Sequence, residues 1–155
     1  MTEKLAQFPK AILFDMDGVL IDSLKAWWKA INLALDLAHY PQISIKKFTQ
    51  HIWGNDFQES MKYLEIHEDI FSKNKEWVPI YLNHITLSEN TLIILSELYK
   101  KYPLGIITNT QHHITDLVLE KFNLQSFFST IVCADDVKKG KPSPDMILKT
   151  CDLLD

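Results

Sequence analysis

At 155 residues and 46% hydrophobic content the chain has the size and apolar fraction of a globular domain, which excludes disorder as its main state. Sixteen basic residues against 20 acidic ones leave a net charge of −4, which argues against a general nucleic-acid surface, because that footprint is basic. A local lysine cluster can still receive an anion on such a molecule. The two cysteines, Cys133 and Cys151, lack pairing or ligand spacing and read as reduced thiols of an intracellular protein. With neither a signal-peptide stretch in residues 1–10 nor a run of about 18 apolar residues, the expectation is a soluble, cytoplasmic protein without a membrane partner.

In chain order, Ala11 to Phe14 is apolar throughout and ends in Asp15. A short unbroken apolar run of this kind predicts a strand covered on both faces, as in a parallel sheet. Leu104 to Thr108, entered from Pro103, and Thr130 to Cys133 repeat the pattern. Each run ends in small or polar residues, and ligands of open parallel sheets collect at the carboxyl ends of the strands. Helical spacing fills the intervals. Ser88 reads as a cap for a stripe at Leu92, Leu95 and Tyr99, and Ile114, Leu117, Val118 and Phe122 form the next stripe. Ser143-Pro144-Asp145 reads as cap, first-turn proline and dipole-matching acid of a helix with Ile147, Cys151 and Leu154 on one face. Alternating strands and helices predict an α/β core.

The interval from Asp15 to Thr108 is longer than a simple crossover needs. Three helical stripes occupy it: Leu24, Trp27, Trp28, Ile31 and Leu35; then Phe57, Met61 and Leu64; then Ile70, Phe71 and Tyr81, interrupted at Pro79. No strand-like alternation is visible there. The expected division is an α/β core from residues 1–23 and 86–155 and a helical insert over 24–85.

The sharpest motif is Asp15-Met16-Asp17-Gly18-Val19-Leu20-Ile21-Asp22-Ser23. Two carboxylates two residues apart at a strand end lie close together; one can attack phosphorus while the other shuttles protons. Gly18 permits the sharp departure from the strand. This segment resembles the first motif of the haloacid dehalogenase superfamily, in the helical-cap subgroup that includes phosphoglycolate phosphatases and β-phosphoglucomutases. Ile106-Ile107-Thr108-Asn109 resembles the second motif and Lys139-Gly140-Lys141-Pro142-Ser143-Pro144-Asp145 the third, in the family's order.

The resemblance implies a Rossmann-like parallel sheet with an inserted helical cap, of which three strands are expected here and the fourth and fifth are missing. It makes Asp15 the nucleophile that forms an aspartyl-phosphate and Asp17 the general acid/base. Magnesium would be held by Asp15 and the Asp17 carbonyl. Thr108 and backbone amides near Asn109 would hold the phosphoryl oxygens, with Gly18 beside the substrate, and Lys141 would offset the charge of the phosphate and of Asp15. These roles suit phosphoryl transfer, which is catalysed mainly by positioning and charge stabilisation. The acid at position 17 favours a phosphatase or a sugar-phosphate mutase, acting on a small phosphorylated metabolite.

Other residues read more plainly. Trp27 and Trp28 are expected in the cap core, although their roughly 100° separation lets one face the cleft. His112 and His113 suit a helix start, Cys133 a small core position and Gly54 a turn. His39, His51, His67 and His84 have no recognisable partners. The family's fourth motif, an acidic pair completing the metal site, is expected after the helix opened at Ser143. Only 14 residues follow Lys141, and that helix consumes nearly all of them. The resemblance therefore implies weakened magnesium binding and very slow turnover, with Asp135 and Asp136 poor substitutes two strands, or roughly 10 Å, from Asp15. It also implies an uncovered edge strand at Ala11 to Phe14, and self-association through it. Two rival expectations remain: a non-catalytic remnant binding a phosphometabolite or partner chain, and a second polypeptide that supplies the missing strands.

Overall fold

The computed structural model describes residues 9–55, 57–66, 71 and 75–154. Three strands, β1 (Ile12–Phe14), β4 (Leu104–Ile107) and β5 (Thr130–Val132), form a parallel sheet in the order β1-β4-β5. Ile12 pairs with Leu104 and Ile106 with Ile131. The central strand is the apolar one: Leu104, Gly105 and Ile106 are buried, whereas β1 is only half-buried and pairs on one side alone among the described residues. Each strand is a residue or so shorter than its apolar run, as the ends give way to the polar loops that follow.

Two further strands escaped the sequence reading. β2 (Ile21–Asp22) and β3 (Thr86–Leu87) pair antiparallel, with Ile21 opposite Leu87. They stand where the chain leaves the sheet for the helical interval and where it returns. Two residues per strand are too few for alternation to register. The Leu20 carbonyl accepts the Ser88 N–H at 3.0 Å and the Thr91 hydroxyl at 3.0 Å, which seals this neck.

Between them run α1 (Leu24–Leu37), α2 (Ile45–His51), α3 (Phe57–Tyr63) and α4 (Trp77–His84). α1 packs extensively against α4, with the Trp27 ring on Trp77 and Tyr81, and it buries Ala26, Ala30, Ala34 and Leu35, while Trp27 and Trp28 are half-buried. Small residues at i, i+4 and i+8 let two helices approach closely. Met61, Phe71 and Tyr81 are buried as expected of the apolar stripes. Pro79 does not interrupt a helix; it sits in the first turn of α4, where no partner for its missing N–H is needed. The Phe57 side chain, Ile70, His67 and Asp155 lie outside the described residues.

Three other readings need correction. α5 (Thr91–Tyr99) is not capped by Ser88: Asn90, in a left-handed conformation, precedes it. Its buried face carries Thr91 and Leu95, leaving Leu92 and Tyr99 exposed. α6 (His112–Phe122) buries Ile114, Thr115, Val118 and Leu119, so Leu117 is replaced in the stripe by its neighbours. α7 (Asp145–Leu154) turns Met146 and Thr150 onto β4 and β5, while Ile147, Leu148 and Leu153 stay 47%, 60% and 58% exposed. Apolar residues nearly encircle this helix, so periodicity alone could not select the face. At its start the Ser143 hydroxyl bonds the Asp145 carboxylate at 2.6 Å, and Pro144 offers its carbonyl to Leu148 N–H.

Ile106 is fully buried in the central strand and Ile12 only half-buried at the edge. Ile106→Ala is expected to cost about 2–5 kcal/mol and Ile12→Ala distinctly less. Urea unfolding of both variants checks this; equal losses would contradict the sheet order.

Candidate active site

The parallel sheet delivers its polar loops to one end. Asp15 follows β1, Thr108 follows β4, a 3-10 turn at Ala134–Asp136 follows β5, and the loop through Lys141 leads into α7. They meet the helical interval across a cleft of about 1210 Å³, whose lining includes Asp15, Asp17, Thr108, Asn109, Lys141 and, from the turn after α2, Trp53.

Asp15 is held in a defined orientation. Its Oδ1 accepts the Met16 N–H at 2.8 Å and lies 2.7 Å from the Lys141 ammonium, which also donates to the Ile107 carbonyl at 3.1 Å. No described residue donates to Asp15 Oδ2. Lys141 is carried on a loop pinned by Asn109: the Asn109 amide donates to the Lys141 carbonyl at 3.0 Å and accepts the Lys141 N–H at 2.8 Å. The two loops are thereby locked to each other by both halves of one carboxamide. The Lys141–Pro142 peptide is cis.

Asp17 is the most heavily bonded group of the site. Its Oδ1 accepts from Ser23 Oγ at 2.6 Å, Trp27 Nε1 at 2.8 Å and Tyr81 OH at 3.1 Å. Its Oδ2 accepts from Thr110 Oγ1 at 2.7 Å. Burial first, and then the Asp17 charge, push the Tyr81 phenol well above its ordinary value, so it keeps its proton and donates. Gly18 departs at φ 78°, and its N–H bonds the Ile21 carbonyl at 2.8 Å. A side chain there would meet strain and the Trp53 ring, 3.2 Å from an added Cβ. Thr108 is almost fully buried, and its hydroxyl accepts the Thr110 N–H at 3.1 Å.

The sequence reading missed Trp27, Tyr81 and Thr110 as partners of Asp17. Trp27 was expected in a core; it packs on Tyr81 at 4.3 Å between ring centroids and sends its N–H to the carboxylate. Trp28 takes the other course, with its N–H on the Ile43 carbonyl at 2.8 Å. Thr110 lies two residues past Thr108 and offered a local signal, a second hydroxyl at the same strand end. Tyr81, 64 residues away in sequence from Asp17, offered none.

The other side of the strand ends is a separate knot. His112 starts α6 and gives its N–H to Asp135 at 3.0 Å, while its ring lies 2.6 Å from Asp136. Asp136 also accepts the Cys133 N–H at 2.8 Å and pairs with Lys149 at 3.3 Å. His112, Cys133 and Asp136 are near enough together to hold a metal ion. Each is nonetheless already partnered: the Cys133 sulfur bonds Thr115 at 3.5 Å, and an ion at Asp136 would compete with Lys149. Burial pushes the Cys133 thiol up to about 12. Burial alone would raise the Asp136 carboxyl, but the Cys133 N–H, Lys149 and His112 outweigh it and hold the group below the usual carboxylate range.

The donors around Asp15 suit a hard cation. A carboxylate oxygen and the Asp17 main-chain carbonyl, to which no described residue donates, are the oxygen chemistry that magnesium prefers.

The sequence pattern described as haloacid dehalogenase-like hydrolase matches residues 12–155. The chain belongs to that family. It is 29% identical over 151 residues to the phosphoglycolate phosphatase of Aquifex aeolicus, covering 94% of this chain and 70% of that one. It is 26% identical over 171 residues to the N-acylneuraminate-9-phosphatase of Rattus norvegicus, covering 94% and 69%. Among solved structures, a predicted phosphoglycolate phosphatase from Haemophilus somnus superimposes with a TM-score of 0.73 at 27% identity, over 92% of this chain and 70% of that one. The α/β fold with its parallel sheet, and membership among phosphatase-like hydrolases, therefore agree with the sequence reading. Among the described residues no helix is long and apolar enough to cross a membrane.

Two expectations follow from the knot. Iodoacetamide at mildly alkaline pH should label exposed Cys151 in the folded chain and buried Cys133 only after unfolding, as read by peptide mass spectrometry. Native labelling of Cys133 ahead of Cys151 would contradict the burial. The depressed Asp136 carboxyl contributes stability above its unfolded pKa of about 3.9 that is lost as pH falls through the folded value. Asp136→Asn should therefore lower stability at neutral pH and flatten its decline in acid, measured by thermal unfolding across pH.

Proposed function

We propose that the chain is a magnesium-dependent phosphohydrolase of small phosphorylated metabolites that works through an aspartyl-phosphate on Asp15. The observation that carries this reading is the Lys141 ammonium 2.7 Å from the Asp15 carboxylate, with Asp17 two residues on in the same turn. A structural ion pair at a strand end would have no need of a second, four-times-bonded aspartate opening on the same cleft.

In this reading an oxygen of Asp15 attacks phosphorus in line with the ester oxygen. As the phosphorus–ester bond breaks, its electron pair passes to the departing oxygen, and Asp17, which enters this step in its protonated form, supplies the proton that makes an alcohol and is left as the carboxylate. Water then attacks the acyl phosphate, Asp17 takes its proton, and breaking the Asp15–phosphorus bond frees phosphate and the carboxylate. Lys141 and the amides beside Thr108 and Asn109 offset charge on the equatorial oxygens, where most of the transition-state stabilisation lies. The Asp15 carboxylate and the Asp17 carbonyl would hold magnesium, which when bound neutralises phosphoryl charge and orients the group. Residues 24–85 form the lid of this reading, a cap over a core made from 1–23 and 86–155, that keeps water out while the acyl phosphate forms. The names of the relatives in Aquifex aeolicus and Rattus norvegicus support a small phosphorylated substrate.

Phosphate release from a panel of phosphomonoesters should require magnesium, stop on chelation and fall roughly 10⁴-fold or more in Asp15→Asn. Acid quenching should trap phosphate covalently on Asp15 alone. Turnover that survives Asp15→Asn would overturn the reading.

A further inference from the structure

Resting on that reading, we propose that Trp27 and Tyr81 are positioning residues for Asp17, so that the helical interval sets the stance of the acid/base. Trp27 belongs to α1 and Tyr81 to α4, the two helices that pack most extensively within the interval. Each had a simpler use for its polar atom. Trp28 and Trp77 satisfy their indole N–H groups on main-chain carbonyls of Ile43 and Phe71 inside the same helical region. Trp27 and Tyr81 instead aim at one oxygen outside it, and the contact of their rings, tilted by 37° at 4.3 Å between centroids, fixes the approach of both donors.

The two carboxylate oxygens of Asp17 are thereby made unequal. Oδ1 accepts three donors, from Ser23, Trp27 and Tyr81, which exceeds its two lone-pair directions and leaves it no room for a reacting group. Oδ2 accepts Thr110 alone and keeps a lone pair free. Oδ1 is the anchor and Oδ2 the oxygen that exchanges a proton with the leaving group. Two of the three anchoring bonds come from the helical interval. A shift of α1 and α4 away from the strand ends strips Asp17 of both, and with them its fixed orientation.

The test uses Tyr81→Phe, which keeps the ring and deletes only the donor, and Trp27→Phe, which keeps a smaller aromatic ring without the indole N–H, with Trp28→Phe as the control for the loss of ring size. General acid catalysis contributes about 10²–10⁴-fold when the leaving group is a poor one. On a simple alkyl phosphate, kcat/KM of the double variant should therefore fall roughly 10- to 100-fold through kcat, with KM nearly unchanged. On para-nitrophenyl phosphate, whose leaving group needs no proton, kcat/KM should stay within about twofold. Trp28→Phe should alter neither.

Equal losses on the two esters, or none, would overturn the positioning role while leaving the hydrolase reading intact. A parent chain that hydrolyses neither ester, nor any member of the phosphomonoester panel, would overturn that reading and the role together. A nitrogen–proton correlation spectrum reads the contact without turnover. Of the four tryptophan indole signals, that of Trp27, identified by its loss in Trp27→Phe, should move most in Asp17→Asn. An unmoved Trp27 signal would overturn the contact itself.

Discussion

Four donors from separate parts of the chain converge on the carboxylate of Asp17, and the arrangement of the strand ends depends on that convergence. Ser23 stands at the neck, Trp27 and Tyr81 in the helical interval, and Thr110 beyond the central strand. A partly buried carboxylate is costly unless its lone pairs are filled, and bonds to a charged acceptor are stronger than neutral ones. One anion therefore ties the packed pair of α1 and α4 to the neck at Ser23 and to the loop after the central strand at Thr110. The short β2–β3 pair does the same work with backbone groups, since it closes the chain where it leaves for the helices and where it comes back.

Asp15 shows the complementary arrangement. One of its oxygens is fixed by Met16 and Lys141, and the other takes no bond from any described residue. The lysine owes its reach to Asn109, which grips the main chain of Lys141 from the loop after β4. An anchored aspartate and a half-open one, two residues apart, present different surfaces to the cleft although the side chains are chemically identical. The contrast comes wholly from their neighbours.

The parts legible in the sequence were those carried by local pattern. Unbroken apolar runs marked the three parallel strands, and the resemblance of the segments holding Asp15, Asp17, Thr108 and Lys141 to the family's motifs marked the loops that the sheet brings to one cleft. Helix faces were read less well. In α5 and α7 apolar residues occur nearly all round, and the face that meets the sheet was chosen by packing, with Leu95 and Met146 turned inward and Ile93 and Leu148 outward. The two-residue strands carried no periodicity to detect. Tyr81 was invisible as a partner of Asp17 because its only cue is three-dimensional: a buried aromatic ring in a helix whose hydroxyl happens to reach a carboxylate encoded 64 residues earlier.

The carboxamide of Asn109 has a chemical consequence of its own. Both its nitrogen and its oxygen are occupied by the main chain of Lys141, one as donor and the other as acceptor. Slow hydrolysis of that amide, the ordinary ageing reaction of asparagine side chains, would leave an oxygen where the nitrogen had been. Two acceptors would then face each other across 3.0 Å, and a new negative charge would stand beside the lysine. A single lost ammonia would loosen the loop that presents Lys141 to Asp15, with every titratable residue of the cleft still intact.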